Sequence, residues 1–442
     1  MNKVAVFGAG KSGVAAANFL ALRGETVVVT DSRPEGELPL AASLDPRVER
    51  AFGGHPPGVL AGADLVVLSP GIPADIPPLR EAAARSIPII SEIELAFRHL
   101  NGTVIAVTGS NGKSTTTALL GEILRHAGLD PVVAGNIGEP LIATVGYAER
   151  HYVVELSSFQ LETVESFRAD VALLLNITPD HLDRYPSMEE YAAAKVRIFR
   201  NQTPADVAVV NADDPRTSEP RTRARIVRFS SSRSLDEGAF VRQGQLVLRR
   251  PGREEWIPRS ALRLAGTANV ENALAAWAAA DACGAGVDAV RAAFESFRGL
   301  PHRMVLVREV AGIRWINDSK GTNVDASVKS LEGMDEGRTV LILGGKDKKG
   351  EFERLRPLVA AKAKAVLTIG AASARIGQAL AGTAPVVPCG TLERAVAWAS
   401  EHAVAGDAVL LSPACASFDQ FESFEHRGRR FEELVGALEG AR

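Results

Sequence analysis

Cysteine is scarce in this 442-residue sequence, which contains only Cys283, Cys389 and Cys415. They are widely spaced and form no CxxC pair, which argues against a disulfide framework or a zinc site and is typical of a reducing compartment. No uncharged apolar run reaches the roughly 18 residues that a membrane-spanning helix needs. The N-terminus, MNKVAVFGAG, enters a strand and a glycine turn directly and leaves no room for a signal peptide. We therefore predict a cytoplasmic protein without a membrane partner.

The sequence also lacks a strong charge of either sign. It has 50 Lys and Arg against 53 Asp and Glu, a net charge of -3, and both signs are scattered along the chain. This distribution provides no basic surface for nucleic acid and no charged tail. It favours small-molecule substrates, and we expect a monomer.

Short runs rich in Val, Ile and Leu alternate with longer Ala-rich amphipathic segments, as in parallel sheets covered by helices. At about 150 residues a domain, the length predicts about three domains. The predicted fold is α/β and has three parts. They are an N-terminal Rossmann-like domain over 1–92, a central P-loop-type ATPase domain with a mostly parallel sheet over 93–298, and a C-terminal Rossmann-like domain over 299–442. Pro301 marks the second linker because proline cannot continue a helix.

The segment VIAVTGSNGKSTTTALL, which begins at Val104, resembles a phosphate-binding loop between a strand and a helix. The usual pattern is GxxxxGK[ST], and it fails here because Val107 replaces the first glycine. A shorter form remains, in which backbone N–H groups and a helix N-terminus converge on an anion and a lysine reaches the outer phosphates. A glycine-rich turn with a solvated lysine is the alternative, but strand, glycines, Lys-Ser and helix all coincide. We predict ATP binding by Gly109, Ser110, Asn111, Gly112, Lys113, Ser114 and Thr115.

Phosphoryl transfer needs metal ions with hard oxygen ligands, to which an imidazole can be added. Glu155 follows the apolar run YVV, and His181 follows LLLNITPD. Either residue alone would be read as a surface residue. At strand ends of a sheet that carries a phosphate loop, both become predicted Mg²⁺ ligands. Lys195 lies in the helical run MEEYAAAKVRIF, and its spacing alone predicts a solvated lysine.

The N-terminal block has Gly8, Gly10 and Gly13 directly after a strand, with Asp31 at the end of the next strand. This is the dinucleotide fingerprint, and alone it would predict an NAD-binding oxidoreductase. A non-catalytic nucleotide-binding or scaffolding protein is another alternative. A dehydrogenase would have no role for the phosphate loop or the segment INDSKGTN, and a non-catalytic protein would not explain charged loops spread over three domains.

Several motifs together resemble those of the Mur ligase family of peptidoglycan synthesis, and with the segment SPGIP the resemblance runs through all three blocks. The motifs are GSNGKSTTT, VVELSSFQLE, NITPDHLDRYPSMEEYAAAK, NVENALAA, PHR, INDSKGTN and LSPACASFDQFESFEHRG. The segments SPGIP and SPACASFDQF favour the D-glutamate-adding branch. The resemblance implies an ATP-dependent ligase that converts the carboxylate of UDP-N-acetylmuramoyl-L-alanine to an acyl phosphate, which D-glutamate then attacks. Another Mur-type ligase or a folylpolyglutamate synthase-like ligase stays an alternative.

The resemblance also implies roles for individual residues. Lys113, His181 and Lys195 would be catalytic, and Lys195 would carry a carbamate. Two Mg²⁺ sites would use Ser114, Glu155, His181 and Lys195. ATP would further contact Asn136, Asn269, Asn272, Arg303, Asp318 and Lys320, the last three after domain closure. The UDP-substrate would contact Ser12, Asp31, Ser32, Arg33, Ser69 and Gly71. D-Glutamate would contact Thr322, Lys348, Ser417 and Phe424. Ala268 stands where the family pattern has His, which should change adenine packing.

Overall fold

The computed structural model describes residues 2–73, 75–146, 148–182, 184–264 and 266–438. Strands and helices alternate along the chain, and the described strands form three separate, mostly parallel sheets. The predicted α/β fold with three sheet-based parts is therefore confirmed. By its internal contacts the chain divides into two compact units, Met1–Ile177 with Tyr191–Arg298, and Thr178–Glu190 with Gly299–Arg442.

The N-terminal sheet is entirely parallel. Its elements are Lys3–Phe7 (β1), Lys11–Leu22 (α1), Thr26–Asp31 (β2), Glu49–Phe52 (β3), Leu65–Leu68 (β4), Pro77–Ala84 (α2), Ile89–Ser91 (β5) and Glu92–Phe97 (α3). The strand order is β3-β2-β1-β4-β5. The order reverses between β1 and β4, and in such sheets ligands bind beyond the carboxyl ends of the strands at that point.

The central sheet has the order β14-β13-β12-β11-β10-β9-β6-β8-β7. Its elements are Gly102–Thr108 (β6), Lys113–His126 (α4), Pro131–Gly135 (β7), Arg150–Glu155 (β8), Ser158–Leu161 (α5), Val171–Leu174 (β9), Met188–Val196 (α6), Val207–Asn211 (β10), Arg225–Ser230 (β11), Gly238–Arg242 (β12), Gln245–Arg250 (β13), Arg253–Pro258 (β14), Thr267–Ala282 (α7) and Val287–Ser296 (α8). The strands from β6 to β12 pair in parallel, and β13 and β14 add antiparallel strands. The core on one face is dominated by small side chains of α7 and by Trp277, which packs edge-on against Phe294.

The C-terminal sheet has the order β15-β16-β20-β17-β18-β19. Its elements are Val305–Val310 (β15), Ile313–Asn317 (β16), Val324–Glu332 (α9), Thr339–Gly344 (β17), Arg356–Lys362 (α10), Ala363–Ile369 (β18), Ser373–Ala379 (α11), Val386–Gly390 (β19), Leu392–His402 (α12), Ala408–Leu411 (β20) and Phe424–Gly436 (α13). Strand β15 is antiparallel to β16, and the other pairs are parallel. The loops after β16, β20 and β17 therefore leave the same edge of the sheet.

The three cysteines are free thiols. Burial raises the pKa of both Cys283 and Cys415 to about 12, so neither is a thiolate at neutral pH. No helix in the described parts of the chain is both long enough and apolar enough to cross a lipid bilayer.

Candidate active site

The predicted phosphate loop connects β6 to α4, as the sequence indicates. Gly112, just before α4, has a φ of 84°, a left-handed conformation that favours glycine. A Cβ atom at Gly112 would lie 2.2 Å from Oδ1 of Asn272. Glycine is therefore required both by the backbone conformation and by the close approach of α7.

Asn176, two residues after β9, holds the phosphate loop in shape. Its Oδ1 accepts a hydrogen bond from the Asn111 amide (2.8 Å), and its Nδ2 donates to the Asn111 carbonyl (3.1 Å). The Ser110 amide donates to the Asn176 carbonyl (2.9 Å). Asn176 is not among the residues predicted from the sequence. Its position beyond a strand next to β6 is the signal that could have identified it.

Two lysine side chains converge on the carbonyl oxygen of Gly109. Nζ of Lys113 donates to it (2.9 Å) and to the Ser110 carbonyl (2.8 Å), and Nζ of Lys195 also donates to it (2.8 Å). Lys195 is only 1% exposed, and its Nζ lies 4.5 Å from the centre of the Tyr191 ring. The expectation from spacing alone, a solvated Lys195, is therefore wrong. The side chain reaches inward because α6 packs directly against the loop, and this places a second amino group beside that of Lys113.

Glu155 ends β8 beside the phosphate loop, because Glu155 is in register with Val107 of β6. Its side chain is buried, and its Oε1 accepts a hydrogen bond from Nδ2 of Asn136 (2.9 Å). Among the described residues, its buried Oε2 has no hydrogen-bond partner. Leaving a buried acceptor without a partner is unfavourable, so this oxygen is suited to bind a cation.

Other groups at the loop are consistent with a mixed ligand set. Ser114 lies buried in the first turn of α4, and the buried Oγ1 of Thr115 has no hydrogen-bond partner within the described residues. The described part of the chain contains no group of three or more His, Cys, Asp or Glu that could hold a metal by itself. Carboxylate and hydroxyl oxygens together with bound phosphate are the ligands that Mg²⁺ uses at such loops.

Two of the predicted ATP contacts, Asn269 and Asn272, lie in the first turns of α7. Nδ2 of Asn272 donates to Oδ1 of Asn269 (3.2 Å), and Oδ1 of Asn272 accepts from Oγ1 of Thr116 (3.3 Å). The structure thus brings Asn272 to the phosphate loop. Ala268 is half-buried in the same turn.

The predicted UDP-substrate residues lie at the end of β2, on the loops after β2 and β4, or in the first turn of α1, on both sides of the point where the strand order reverses. They are Ser12, Asp31, Ser32, Arg33, Ser69 and Gly71. Asp31 accepts hydrogen bonds from the Ala9 amide (2.9 Å) and from the Arg33 guanidinium (3.0 Å). Burial acts to raise the pKa of Asp31, but these hydrogen bonds outweigh it and hold the pKa below its ordinary value. The carboxylate is engaged with Arg33, whereas a dinucleotide site uses this carboxylate for a ribose hydroxyl.

A cavity in the second unit brings together two of the residues predicted for D-glutamate, Thr322 and Lys348. Asp180 lines the same cavity, with Oδ1 3.3 Å from Nζ of Lys348 and Oδ2 accepting a hydrogen bond from Nδ2 of Asn323 (2.9 Å). Asp180 is not among the residues predicted from the sequence, although it immediately precedes His181. His181 has a φ of 56°, and its Nε2 lies 3.7 Å from Oδ2 of Asp180. A non-glycine residue in this conformation is typical of functional sites.

Of the remaining predicted residues of this unit, Asp318 and Lys320 lie on the loop after β16 and Ser417 lies on the loop after β20. Arg303 precedes β15, and Phe424 begins α13. Oδ2 of Asp318 accepts hydrogen bonds from Oγ of Ser330 (2.6 Å) and Oγ of Ser412 (2.7 Å). Burial raises the pKa of Asp318, although the positive charge of Arg303 acts to lower it. Nζ of Lys320 lies 4.9 Å from the centre of the Phe424 ring.

Ser417 is buried on the loop after β20. This loop pairs with the loop after β17 through two backbone hydrogen bonds between Lys346 and Ala416 (2.8 and 3.0 Å). Because Lys348 follows Lys346, the pairing links the loop of Ser417 to the loop of Lys348.

Three family models match successive parts of the chain. They are the Mur ligase MurD-like N-terminal domain over residues 2–91, the Mur ligase middle domain over residues 107–280 and the Mur ligase glutamate ligase domain over residues 302–415. Together they extend over all three sheets.

Curated relatives are similar over nearly the whole chain. The UDP-N-acetylmuramoylalanine–D-glutamate ligase of Acidobacterium capsulatum is 47% identical and covers 99% of this chain and 97% of its own. The enzyme of the same name from Geotalea uraniireducens is 48% identical, covering 99% and 98%. Among solved structures, UDP-N-acetylmuramate–alanine ligase MurC from Thermotoga maritima has a TM-score of 0.62 at 22% identity and covers 99% of this chain and 100% of its own. At that identity the structural likeness shows the fold alone.

Proposed function

Because this chain belongs to the Mur ligase family, we propose that it adds D-glutamate to UDP-N-acetylmuramoyl-L-alanine in an ATP-dependent step of peptidoglycan precursor synthesis. The observation that carries the proposal is the identity of 47–48% to ligases of that name over 99% of the chain. The reaction releases ADP and phosphate. The first unit contains a phosphate loop, and the second unit contains a cavity with a Lys–Asp ion pair. These two features support a reaction between a nucleotide and an amino acid.

In this proposal the phosphate loop and Lys113 bind the β and γ phosphates of ATP. Lys113 already points at its own loop, so its ammonium would exchange the carbonyls of Gly109 and Ser110 for phosphate oxygens. The backbone N–H groups at the start of α4 add the positive end of the helix. The nucleotide would further contact Asn136, Asn269, Asn272, Arg303, Asp318 and Lys320.

We propose that Ser114 and Glu155 hold one Mg²⁺ and that His181 and Lys195 hold a second. When bound, the ions offset negative charge on the phosphate oxygens. The buried Oε2 of Glu155, without a hydrogen-bond partner among the described residues, supports its assignment.

We also propose that Lys195 carries a carbamate. The neutral amine attacks the carbon of CO₂, a C–N bond forms while one C=O π bond opens onto oxygen, the nitrogen loses a proton to water, and the product is an anionic carbamate on Nζ. Deep burial and the nearby Lys113 ammonium support this step, because both disfavour a second charged ammonium.

The carbamate is tested by replacing the lysine. Lys195→Ala should lose activity that short carboxylic acids partly restore in a phosphate-release assay, whereas the same acids should leave the wild type unchanged. A Lys195→Ala enzyme that is active without any added acid would refute the carbamate.

In the proposed reaction, the alanyl carboxylate attacks the γ-phosphorus, the bond to the β-phosphate oxygen breaks, and an acyl phosphate and ADP result. The amino group of D-glutamate attacks the acyl carbon, the tetrahedral intermediate expels phosphate, and the nitrogen loses a proton. Lys348, Thr322 and Ser417 suit the carboxylates of D-glutamate, and Phe424 suits its methylenes. The contact between Asp180 and Lys348 supports a site that is charged before the amino acid arrives.

We propose that the UDP part binds at Ser12, Asp31, Ser32, Arg33, Ser69 and Gly71, and that the enzyme is a cytoplasmic monomer. We also keep 1–92, 93–298 and 299–442 as functional domains. In support of these boundaries, each sheet falls within one of them.

Phosphate release tests the function directly. With ATP, Mg²⁺, UDP-N-acetylmuramoyl-L-alanine and D-glutamate, we expect release that stops when any one component is omitted. Release without D-glutamate would instead indicate a simple ATPase. Offering L-glutamate, L-alanine and diaminopimelate in place of D-glutamate separates this function from other Mur-type ligases and folylpolyglutamate synthase-like enzymes, and turnover with one of them alone would contradict the D-glutamate assignment.

A further inference from the structure

Arg427, in the first turn of α13, has a fully buried guanidinium. Its Nε donates to Oγ of Ser319 (3.0 Å), and one terminal nitrogen donates to the carbonyls of Ser319 (2.9 Å) and Cys415 (3.2 Å). The other terminal nitrogen donates to the carbonyls of Cys415 (3.2 Å) and Gly344 (3.5 Å). These contacts use all the donors that a guanidinium has.

The accepting groups belong to the loops after three adjacent strands. Ser319 follows β16, Cys415 follows β20, and Gly344 ends β17. The first loop carries Asp318, Lys320 and Thr322, the second carries Ser417, and the third carries Lys348. One side chain therefore links the proposed nucleotide contacts to the proposed D-glutamate contacts.

Among the described residues this side chain forms no ion pair, although the negative charges of Asp318 and Asp419 favour its protonated form. Within the described residues, every hydrogen bond of the Arg427 guanidinium goes to a carbonyl or a hydroxyl oxygen. Burial lowers its pKa to about 10, so the group is still protonated at neutral pH. If Arg427 only filled space in the core, an apolar residue would do so equally well, because a buried charge without an ion pair is unfavourable. What an apolar residue or lysine cannot supply is a rigid planar set of donors that reaches three loops at once.

We propose that Arg427 is a positioning residue for the ligase reaction, whose guanidinium holds the loop of Asp318, Lys320 and Thr322 in register with the loops of Ser417 and Lys348. The inference rests on the proposed function. It predicts that a single substitution raises KM for ATP and KM for D-glutamate together. It also predicts that KM for the UDP-substrate is unchanged, because the proposed UDP contacts lie in the first unit.

The test is steady-state kinetics of Arg427→Met and Arg427→Lys in the full chain, with each substrate varied in turn. Misplacement of reacting groups by about 1 Å costs on the order of 100-fold, so we expect a loss of that size in kcat/KM for ATP and for D-glutamate. Both KM values should rise, while KM for UDP-N-acetylmuramoyl-L-alanine stays unchanged. Lysine keeps the charge and some of the donors, so the kcat/KM values of Arg427→Lys should lie between those of Arg427→Met and those of the wild type.

Arg430 provides a matched control on the same helix. It is a partly exposed arginine that pairs with Glu393 and Glu433, so Arg430→Met should leave all three KM values unchanged. A milder variant, Ser319→Ala, removes only the hydroxyl that accepts from Nε. It should raise KM for ATP and D-glutamate by a smaller factor, and it decides the question if Arg427→Met does not fold.

The outcomes separate this inference from the proposed function. If the wild type does not use D-glutamate, the proposed function fails. If the wild type is active and Arg427→Met, or Ser319→Ala in its place, lowers kcat with all KM values unchanged, the residue only maintains the folded fraction and the inference is overturned.

Discussion

Replacing Glu155 with glutamine should change the stability of the free protein and its response to Mg²⁺ in opposite directions. The side chain is 2% exposed, Oε1 is bound to Asn136, and Oε2 has no hydrogen-bond partner among the described residues. Glu155→Gln keeps the shape and the bond to Asn136 but removes the charge. The substitution therefore separates a metal ligand from a residue needed for folding.

The magnitudes follow from these contacts. An unsatisfied buried polar group is unfavourable by about 1–3 kcal/mol, and more when it is charged. A neutral amide lowers this penalty without abolishing it, so the metal-free variant should be more stable than wild type by about 1 kcal/mol. Mg²⁺-ATP at 100 times its Kd should stabilise the wild type by about 2.7 kcal/mol. A tenfold loss of affinity in the variant would remove about 1.4 kcal/mol of that gain.

The assay is urea unfolding of both proteins with and without Mg²⁺-ATP, combined with phosphate release. Loss of a charge-stabilising group at the phosphates should lower turnover on the order of 10²–10³-fold. Glu92 provides a matched control, because it is equally buried, its Oε1 accepts from the Ile142 amide (2.7 Å), and its Oε2 also has no hydrogen-bond partner in the described residues. Glu92→Gln should leave the response to Mg²⁺-ATP intact. A Glu155→Gln variant that keeps both the stabilisation and the turnover would refute the metal assignment.

Three further predictions use other contacts. Lys113→Ala should lower phosphate release on the order of 10³-fold while the protein stays folded, and release at the wild-type rate would contradict ATP binding at this loop. Gly428→Ala should lower the free energy of unfolding, measured in urea, by about 1–3 kcal/mol. The reason is that the new Cβ atom would lie 2.4 Å from Nδ1 of His302. An unchanged free energy would mean that His302 can move aside.

The third concerns Glu92, because burial raises its pKa to about 7 from 4.5. Between these values the unfolded chain releases a proton that the folded protein keeps, so stability falls as the pH rises, by about 3 kcal/mol at most. Unfolding free energies of wild type and Glu92→Gln from pH 4.5 to 7.5 should show this loss only in the wild type, and parallel curves would contradict it.

The fold and the phosphate loop could be predicted from sequence because their signals are local. Alternating apolar and amphipathic segments determine the strands and helices, and parallel pairing follows from strands that are apolar on both faces. Gly112 illustrates the same point at the site, since a glycine directly before the helix belongs to the motif, and the structure gives it a left-handed φ that favours glycine. Shortening the motif at Val107 does not matter, because β6 simply continues through that residue.

The residues that the sequence did not reveal are those that support the predicted ones. Asp180 contacts Lys348 across 168 positions, and Arg427 contacts Ser319 across 108. The spacing of Lys195 alone predicts a surface lysine, and only the family resemblance identifies it, because the loop against which α6 packs is 86 positions away. Periodicity and spacing describe a residue's own segment, so they contain no information about such partners.

There is a physical reason why ligand-contacting residues can be predicted and supporting residues cannot. The topology of the sheet places the residues at strand ends next to the ligand, so they can be predicted from their type and their position at the end of a strand. A supporting residue is chosen by the groups it must satisfy, which here are carbonyls of several loops. The buried charge of Arg427 is explained in this way, because its hydrogen-bond acceptors come together only once β16, β20 and β17 lie side by side. A substitution there should therefore affect substrates bound on different loops together, which a local motif would not predict.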